Sequence, residues 1–303
     1  MGYSGILNLD KPTGLTSHDV VDAVRRYAGQ RRVGHAGTLD PGASGVLLVC
    51  LGQATRVSEF LMESTKQYRA VIRFGAVSTT DDADGVITPG SASLASLSQA
   101  VFSEALSRFV GEVSQVPPAF SAIKIQGRPM YRAARAGQPV SAPARAVIID
   151  QIDLIAWECP DLTVDVTCSK GTYIRALARD LGEAVGTGAY LQSLIRLRSG
   201  AFSLQDSISL DRVREASQQG QLGRLLKPLD VAVQSWPAVS LAPDEVRAIR
   251  QGKGWNGPAG TISERARAHD AATGRLVALL RFEGAEAGWR PDKVFSEDGD
   301  DVD

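Results

Sequence analysis

The stretch GHAGTLDPGASG, residues 34–45, gathers His35, four glycines and a single carboxylate, Asp40, which Pro41 follows at once. As a bare pattern, Asp-Pro initiates a turn in which the side chain bonds its own backbone. The neighbours ask for more than a turn. Gly34, Gly37, Gly42 and Gly45 permit close approach by backbone or ligand, and Pro41 fixes φ and stiffens the loop. The apolar run VLLVCL (46–51) that follows reads as a buried strand. A rigid loop at the mouth of a buried strand presents one acid, an arrangement suited to a nucleophile.

Upstream, ILNLDKP (6–12) reads as a short strand broken at Pro12 and Gly14. Ser17 is placed to cap a helix whose Val20, Val21, Val24 and Tyr27 share a face and which Gly29 ends. Downstream, ATRVSEFLM (54–62) reads as a helix. KQYRAVIRFG (66–75) reads as a strand with Tyr68, Ala70, Ile72 and Phe74 on its apolar face. A helix over 94–111, a proline-broken strand and basic turn at 116–137, and strands at 144–157 and 162–171 precede the helix TYIRALARDLGEAVG (172–186). Strands and helices in mixed order with antiparallel-looking neighbours predict an α+β fold. Near Trp236 a second, smaller unit begins: a helix over DEVRAIRQG closed by Gly252, then two strands around the ATG turn at 272–274. SEDGDDVD at the end carries one apolar residue, which predicts disorder.

Composition narrows the classes. The 303 residues are 44% hydrophobic and 22% charged, enough for a large domain plus a small one. No apolar run approaches the ~20 residues of a membrane helix, and the N-terminus lacks a signal-peptide pattern, which points to a cytoplasmic protein. Cys50, Cys159 and Cys168 are odd in number, lack C-x-x-C spacing and lie in or beside apolar runs, the pattern of buried thiols. Three histidines make a histidine-rich metal site improbable, and no metal is expected. The net charge of −1 conceals an acidic end: residues 281–303 carry a net −5, leaving about +4 on the rest. Basic clusters stand at 25–32, at Lys124, Arg128, Arg132 and Arg135, and at 196–200. A cluster of this kind is a solvated face unless the fold brings several together as a phosphate track.

Familiar motifs fail on spacing. No Walker loop or nucleophile elbow is present. TTDDADG (79–85) resembles a calcium loop, but Thr80 and Ser91 occupy its first and closing ligand positions.

Four segments in order, NLDKPTGLTS (8–17), GHAGTLDPGASGVL (34–47), KQYRAVIRFG (66–75) and CSKGTYIRALARDLG (168–182), resemble the characteristic segments of the TruB family of bacterial tRNA pseudouridine-55 synthases over about residues 5–200. The resemblance implies a pseudouridine synthase catalytic domain over 1–236, with a mixed, mostly antiparallel central sheet flanked by helices and loops. It also implies a small PUA-like RNA-binding domain over 237–290, to which the composition adds an acidic disordered tail over 291–303. Its catalytic residues would be Asp40 as nucleophile, Tyr68 stacked on the target base with proton transfer as a second task, and Arg175 paired with Asp40. His35 would hold the disrupted RNA loop, Leu197 would line the uracil pocket, and Lys11 would support the active-site loop and contact the substrate. Tyr173, Lys124, Arg128 and Arg132 complete the expected substrate contacts. Each has a plainer alternative: core aromatic, solvated arginine, capped turn histidine, packing leucine.

The implied reaction moves uracil from an N1 to a C5 glycosidic bond with no net redox change, so no cofactor is expected. The T-arm of tRNA is the expected partner, with the protein acting as a monomer without an obligatory protein partner. Two other readings stand beside it. One is a tRNA-folding chaperone that retains the loop. The other is a guide-RNA-dependent synthase like dyskerin, which long basic extensions would favour and the acidic end does not.

Overall fold

The computed structural model describes residues 2–90, 92–120, 124–125, 128–130, 142–257, 263–284 and 286–296; for the short strands within 124–129 only the backbone is described. The chain opens with β1 (Gly5–Lys11), α1 (Ser17–Ala28), β2 (Val33–His35) and β3 (Ser44–Leu51). It continues through α2 (Ser58–Glu63), β4 (Lys66–Phe74), the hairpin β5 (Ala76–Ser78) and β6 (Ile87–Pro89), and α3 (Gln99–Ser107). Next come β7 (Gly111–Gln115), the hairpin β8 (Lys124–Ile125) and β9 (Arg128–Pro129), β10 (Arg145–Glu158), β11 (Asp161–Cys168), α4 (Ile174–Ala184), β12 (Ala189–Ser199), β13 (Phe202–Ser203), β14 (Ile208–Ser209) and α5 (Leu210–Gln218). The last unit holds β15 (Ala238–Leu241), α6 (Pro243–Arg250), β16 (Arg265–Asp270), β17 (Leu276–Phe282) and β18 (Trp289–Val294).

The main path of the large sheet runs β14-β1-β3-β12-β4-β11-β10-β7. Only β1–β14 and β3–β12 pair in parallel, so the expected mixed, mostly antiparallel sheet is found. Alternation explains β4 and β11: Ala70, Ile72 and Phe74 meet Leu162, Val164 and Val166 in one core with Leu177 and Leu181 of α4. A second core joins β1 and β3 to Val20, Val21 and Val24 of α1. The two cores meet at Tyr68 and Leu194, which pack against both.

Several readings are corrected locally. Thr16, not Ser17, caps α1: its hydroxyl accepts from the Asp19 N–H while Asp19 accepts from the Thr16 N–H. Ser17 turns inward instead, and its Oγ accepts from the Leu39 N–H at 2.8 Å. Helix α3 starts five residues later than the apolar period suggested, because Ser98 caps it. Cys50 and Cys168 are buried, but Cys159 is exposed beside the turn between β10 and β11.

The C-terminal sheet runs β15-β16-β17-β18, and its core gathers Val246, Ile249, Val277, Leu280 and Trp289. The boundary at 290 cuts through β18, and the tail expected over 291–303 is ordered as far as Ser296. Phe295 is buried with Ile6 and Val46 of the large unit, and Gln53 exchanges two hydrogen bonds of 2.9 Å with the Ser296 backbone. The charges and Pro291 hid the strand from its alternation. Proline is tolerated there because β18 is an edge. Residues 297–303 lie outside the described residues. No helix among the described residues is long and apolar enough to cross a membrane.

Candidate active site

The loop between β2 and β3 carries Asp40 on a scaffold of hydrogen bonds that converge from three elements. Lys11, fully buried, donates from Nζ to the carbonyls of Pro12 (2.9 Å), Leu15 (2.7 Å) and Pro41 (3.4 Å). Gly14 N–H donates to the same Pro41 carbonyl at 2.8 Å, and Ser17 holds both polar groups of Leu39. Arg196, buried at 1% exposure, donates from Nε to Val46 O at 2.6 Å, from Nη2 to Gly37 O at 3.1 Å and from Nη1 to Thr38 O at 3.4 Å. At Gly45 the glycine is obligatory: φ is +99°, and a Cβ would stand 2.3 Å from the Arg196 carbonyl oxygen. Close packing of β12 against this strand, rather than ligand approach, explains that position.

Asp40 faces a cavity of about 340 Å³ whose lining includes Lys66, Tyr68, Phe120, Tyr173, Arg175 and Arg196. The Arg175 Nε lies 3.0 Å from Asp40 Oδ2, and Nη1 lies 3.4 Å from Asp82 Oδ2. Arg175 also donates from Nη2 to Phe120 O at 3.0 Å. Its position on the first turn of α4 puts it there, since Gln115 pins the preceding Tyr173 backbone through two hydrogen bonds, of 3.0 and 2.8 Å. The Asp40–Arg175 pair anticipated from the sequence is therefore present, and Tyr68 shares its cavity.

Arg175 by itself would hold Asp40 below the usual carboxylate range, but the surroundings outweigh it. Burial raises the Asp40 pKa, Arg175 pulls it down, and Asp82 and Asp84 push it up again; the net direction is upward. Burial likewise raises the Tyr68 phenol, with the Arg196 charge opposing. Lys11 and Lys66 are both pulled down to about 8, chiefly by burial.

Other predicted residues take different places. Lys11 does not face the cavity; it is a buried clamp on the loop. Tyr173 lines the cavity and lies under the Arg145 guanidinium, 4.8 Å from its ring centroid. Leu197 does not line it: Leu194 and Arg196, two positions apart in β12, face the cavity, while Leu197 falls where the pairing of β12 with β4 slips between Arg196 and Arg198. That irregularity has no signal in the sequence. His35 ends β2 and is absent from the cavity wall; burial, Arg196 and His18 lower its pKa, and its Nδ1 is buried with no hydrogen-bond partner among the described residues. Lys124 and Arg128 fall on the β8–β9 hairpin, with their side chains outside the description, and Arg132 lies outside the described residues altogether. The sequence reading missed Lys66, Asp82 and Arg196. Period-two spacing from Tyr68 could have flagged Lys66, and Asp82 was weighed only as a calcium ligand.

Known proteins resemble this chain along most of its length. The N-terminal domain of the TruB family pseudouridylate synthases matches residues 25–174, and the tRNA pseudouridylate synthase B C-terminal domain matches residues 175–234. The tRNA pseudouridine synthase B of Pelotomaculum thermopropionicum is 40% identical over 304 residues, covering 96% of this chain and 95% of its own. That of Burkholderia mallei is 43% identical over 275 residues, covering 91% and 88%. Among solved structures, an H/ACA RNP bound to a substrate RNA containing 2′-deoxyuridine superposes with a TM-score of 0.73 at 26% identity over 97% of this chain and 86% of that one. A Cbf5–Nop10–Gar1 complex superposes at 0.74 with 28% identity over 96% and 85%. With the fold, the ordered motifs and relatives matched along nearly their whole length in agreement, the chain belongs to the TruB family of pseudouridylate synthases.

Proposed function

We propose that this isomerase converts uridine 55 in the T-loop of tRNA to pseudouridine, with Asp40 as the attacking carboxylate. The observation that carries the reading is the Asp40 carboxylate, 3.0 Å from the Arg175 guanidinium, in a cavity that Tyr68 also lines. Relatives named tRNA pseudouridine synthase B support tRNA as the substrate.

The reaction breaks the N1–C1′ bond, forms a C5–C1′ bond, and transfers a proton from C5 to N1. Atoms and electrons balance without an oxidant or a cofactor. One carboxylate serves by attacking the base, by attacking C1′, or by assisting elimination from C2′; each needs it ionised and held still. Arg175 orients it, and the clamps from Lys11, Ser17 and Arg196 immobilise the loop that carries it. The Tyr68 ring on the wall supplies a stacking surface that keeps the detached uracil in place while it turns. A base in a folded RNA arm must first leave its stack, at a cost of a few kcal/mol that phosphate contacts and new stacking offset. The C-terminal sheet acts in this reading as a PUA-like RNA-binding domain, and the protein works alone as a monomer.

The test is to incubate the purified protein with an unmodified tRNA transcript and map pseudouridine by carbodiimide-primer extension. A single stop one nucleotide 3′ of position 55, absent with a U55C transcript, is expected. A chaperone would leave no stop, and a guide-dependent enzyme would need added RNA.

A further inference from the structure

Arg196 occupies an unusual position in the sheet. On one side of β12 its backbone pairs with Gly45 of β3, the strand that leaves the Asp40 loop; on the other it pairs with Tyr68 of β4. The two groups that must face the same uracil are thus carried by strands that flank one residue. Its side chain ties down the loop, with three guanidinium nitrogens donating to carbonyls of Gly37, Thr38 and Val46, and it lines the same cavity as Tyr68. Among the described residues this buried cation has no carboxylate in ion-pair range, so backbone carbonyls are what compensate it. Burying a cation without an anion is costly, and apolar packing would stabilise the same sheet at lower cost. A guanidinium offers what apolar packing does not: a planar fork of donors that fixes several acceptors at once.

We infer that Arg196 is a positioning residue for the isomerisation: it sets the separation and orientation of the Asp40 carboxylate relative to the Tyr68 ring across the cavity. It acts through the 37–46 backbone and through the strand pairing that seats Tyr68 beside it, rather than on the RNA. This rests on the reading of Asp40 as the attacking group. Lysine in its place keeps the charge but cannot span three carbonyls, so the loop loses the anchor that ties it to the strand beside the ring. Misplacement of about 1 Å in such a site costs about 10²-fold in rate.

The experiment compares wild type with Arg196→Lys in single-turnover pseudouridine formation under saturating enzyme, alongside tRNA binding by filter retention and thermal melting. The expected result is a rate constant about 100-fold lower, with the tRNA Kd within about twofold and a cooperative melt retained. A wild-type rate in Arg196→Lys overturns the inference, as does a loss that appears wholly in Kd. Arg196→Gln, which keeps an amide donor without the buried charge, serves if the lysine variant does not melt cooperatively. Failure of both to fold overturns it as well, by assigning the side chain to stability rather than alignment. If wild type itself forms no pseudouridine, the functional reading fails instead, and the two failures are thereby distinct.

Discussion

The sheet around Asp40 and the sheet around Trp289 are both built on apolar strands, yet the buried charged side chains among the described residues, Lys11, Lys66, Arg175 and Arg196, all lie in the first. The C-terminal core is instead a packing of Val246, Ile249, Val277, Leu280 and Trp289, with the Trp289 ring 5.3 Å from Phe282 and 6.4 Å from Trp255. Buried cations are an expensive way to stabilise a sheet. Lys11 and Arg196 hold the Asp40 loop, and Lys66 and Arg175 line its cavity, so this part of the molecule gives up stability for alignment while the other is built for cohesion. Where the units meet, cohesion again prevails, through Phe60 against Trp236 and Phe295 in the shared core.

The contrast can be broken in several ways. The largest effect is expected at Asp40: Asp40→Asn should lower the single-turnover rate by about 10⁴-fold or more, with no loss of melting temperature. Because burial raises the carboxyl pKa, the ionised form costs folding stability as pH rises from the unfolded value through the folded one; a neutral amide removes that loss. A melt lowered as far as the rate would show that Asp40 serves the fold.

Trp289→Ala should cost about 3–5 kcal/mol in the C-terminal unit, read as an early unfolding transition in calorimetry. The rate at saturating tRNA should stay within a few-fold of wild type. A rate as low as that of Asp40→Asn would erase the distinction between the two sheets.

A smaller change is expected from Asp84→Asn. Reaction requires an ionised Asp40, so the rate falls as pH drops through its raised pKa. Removing a carboxylate that pushes the value up should move this acid limb to lower pH, and Arg175→Met should move it higher. Single-turnover rates across pH read both directions, and coincident limbs would remove the electrostatic account of the cavity.

The smallest effect belongs to the surface. The basic stretch at 25–32 lies at the far end of α1, whose first residue, Ser17, touches the Asp40 loop; twelve residues of helix place it about 18 Å away. Arg26 and Arg31 are exposed there. Replacing either with alanine should reduce the slope of log K against log salt by about 0.7–0.9 per phosphate contact, leaving the saturated rate unchanged. An unaltered slope would take this surface out of the RNA path.

Much of this was legible in the chain. Period-two alternation located β4 and β11, and Gly29 and the Pro-Gly breaks bounded α1, because strand and helix faces repeat at fixed intervals whatever packs on them. The order and spacing of four segments carried the family, and with it Asp40, Tyr68 and Arg175. Local chemistry could not separate Lys11 the clamp from Lys11 the RNA contact, since burial is a property of neighbours distant in sequence. The face of β12 that meets the cavity, Leu194 and Arg196 rather than Leu197, depends on the strands either side. Strand β18 was missed because its partners, β17 and the groups that receive Phe295 and Ser296, stabilise a segment whose own pattern is polar.

Residue order alone determined which side chains the protein owns and the periodicities that make its strands and helices. Tertiary structure decided which of those side chains meet: Arg175 with Asp40 across 135 positions of chain, and Arg196 between Gly45 and Tyr68. The reason is physical: pairing register, burial and the pKa values that follow from them are set by contacts between distant segments, and they exist only once the sheet has closed around the loop.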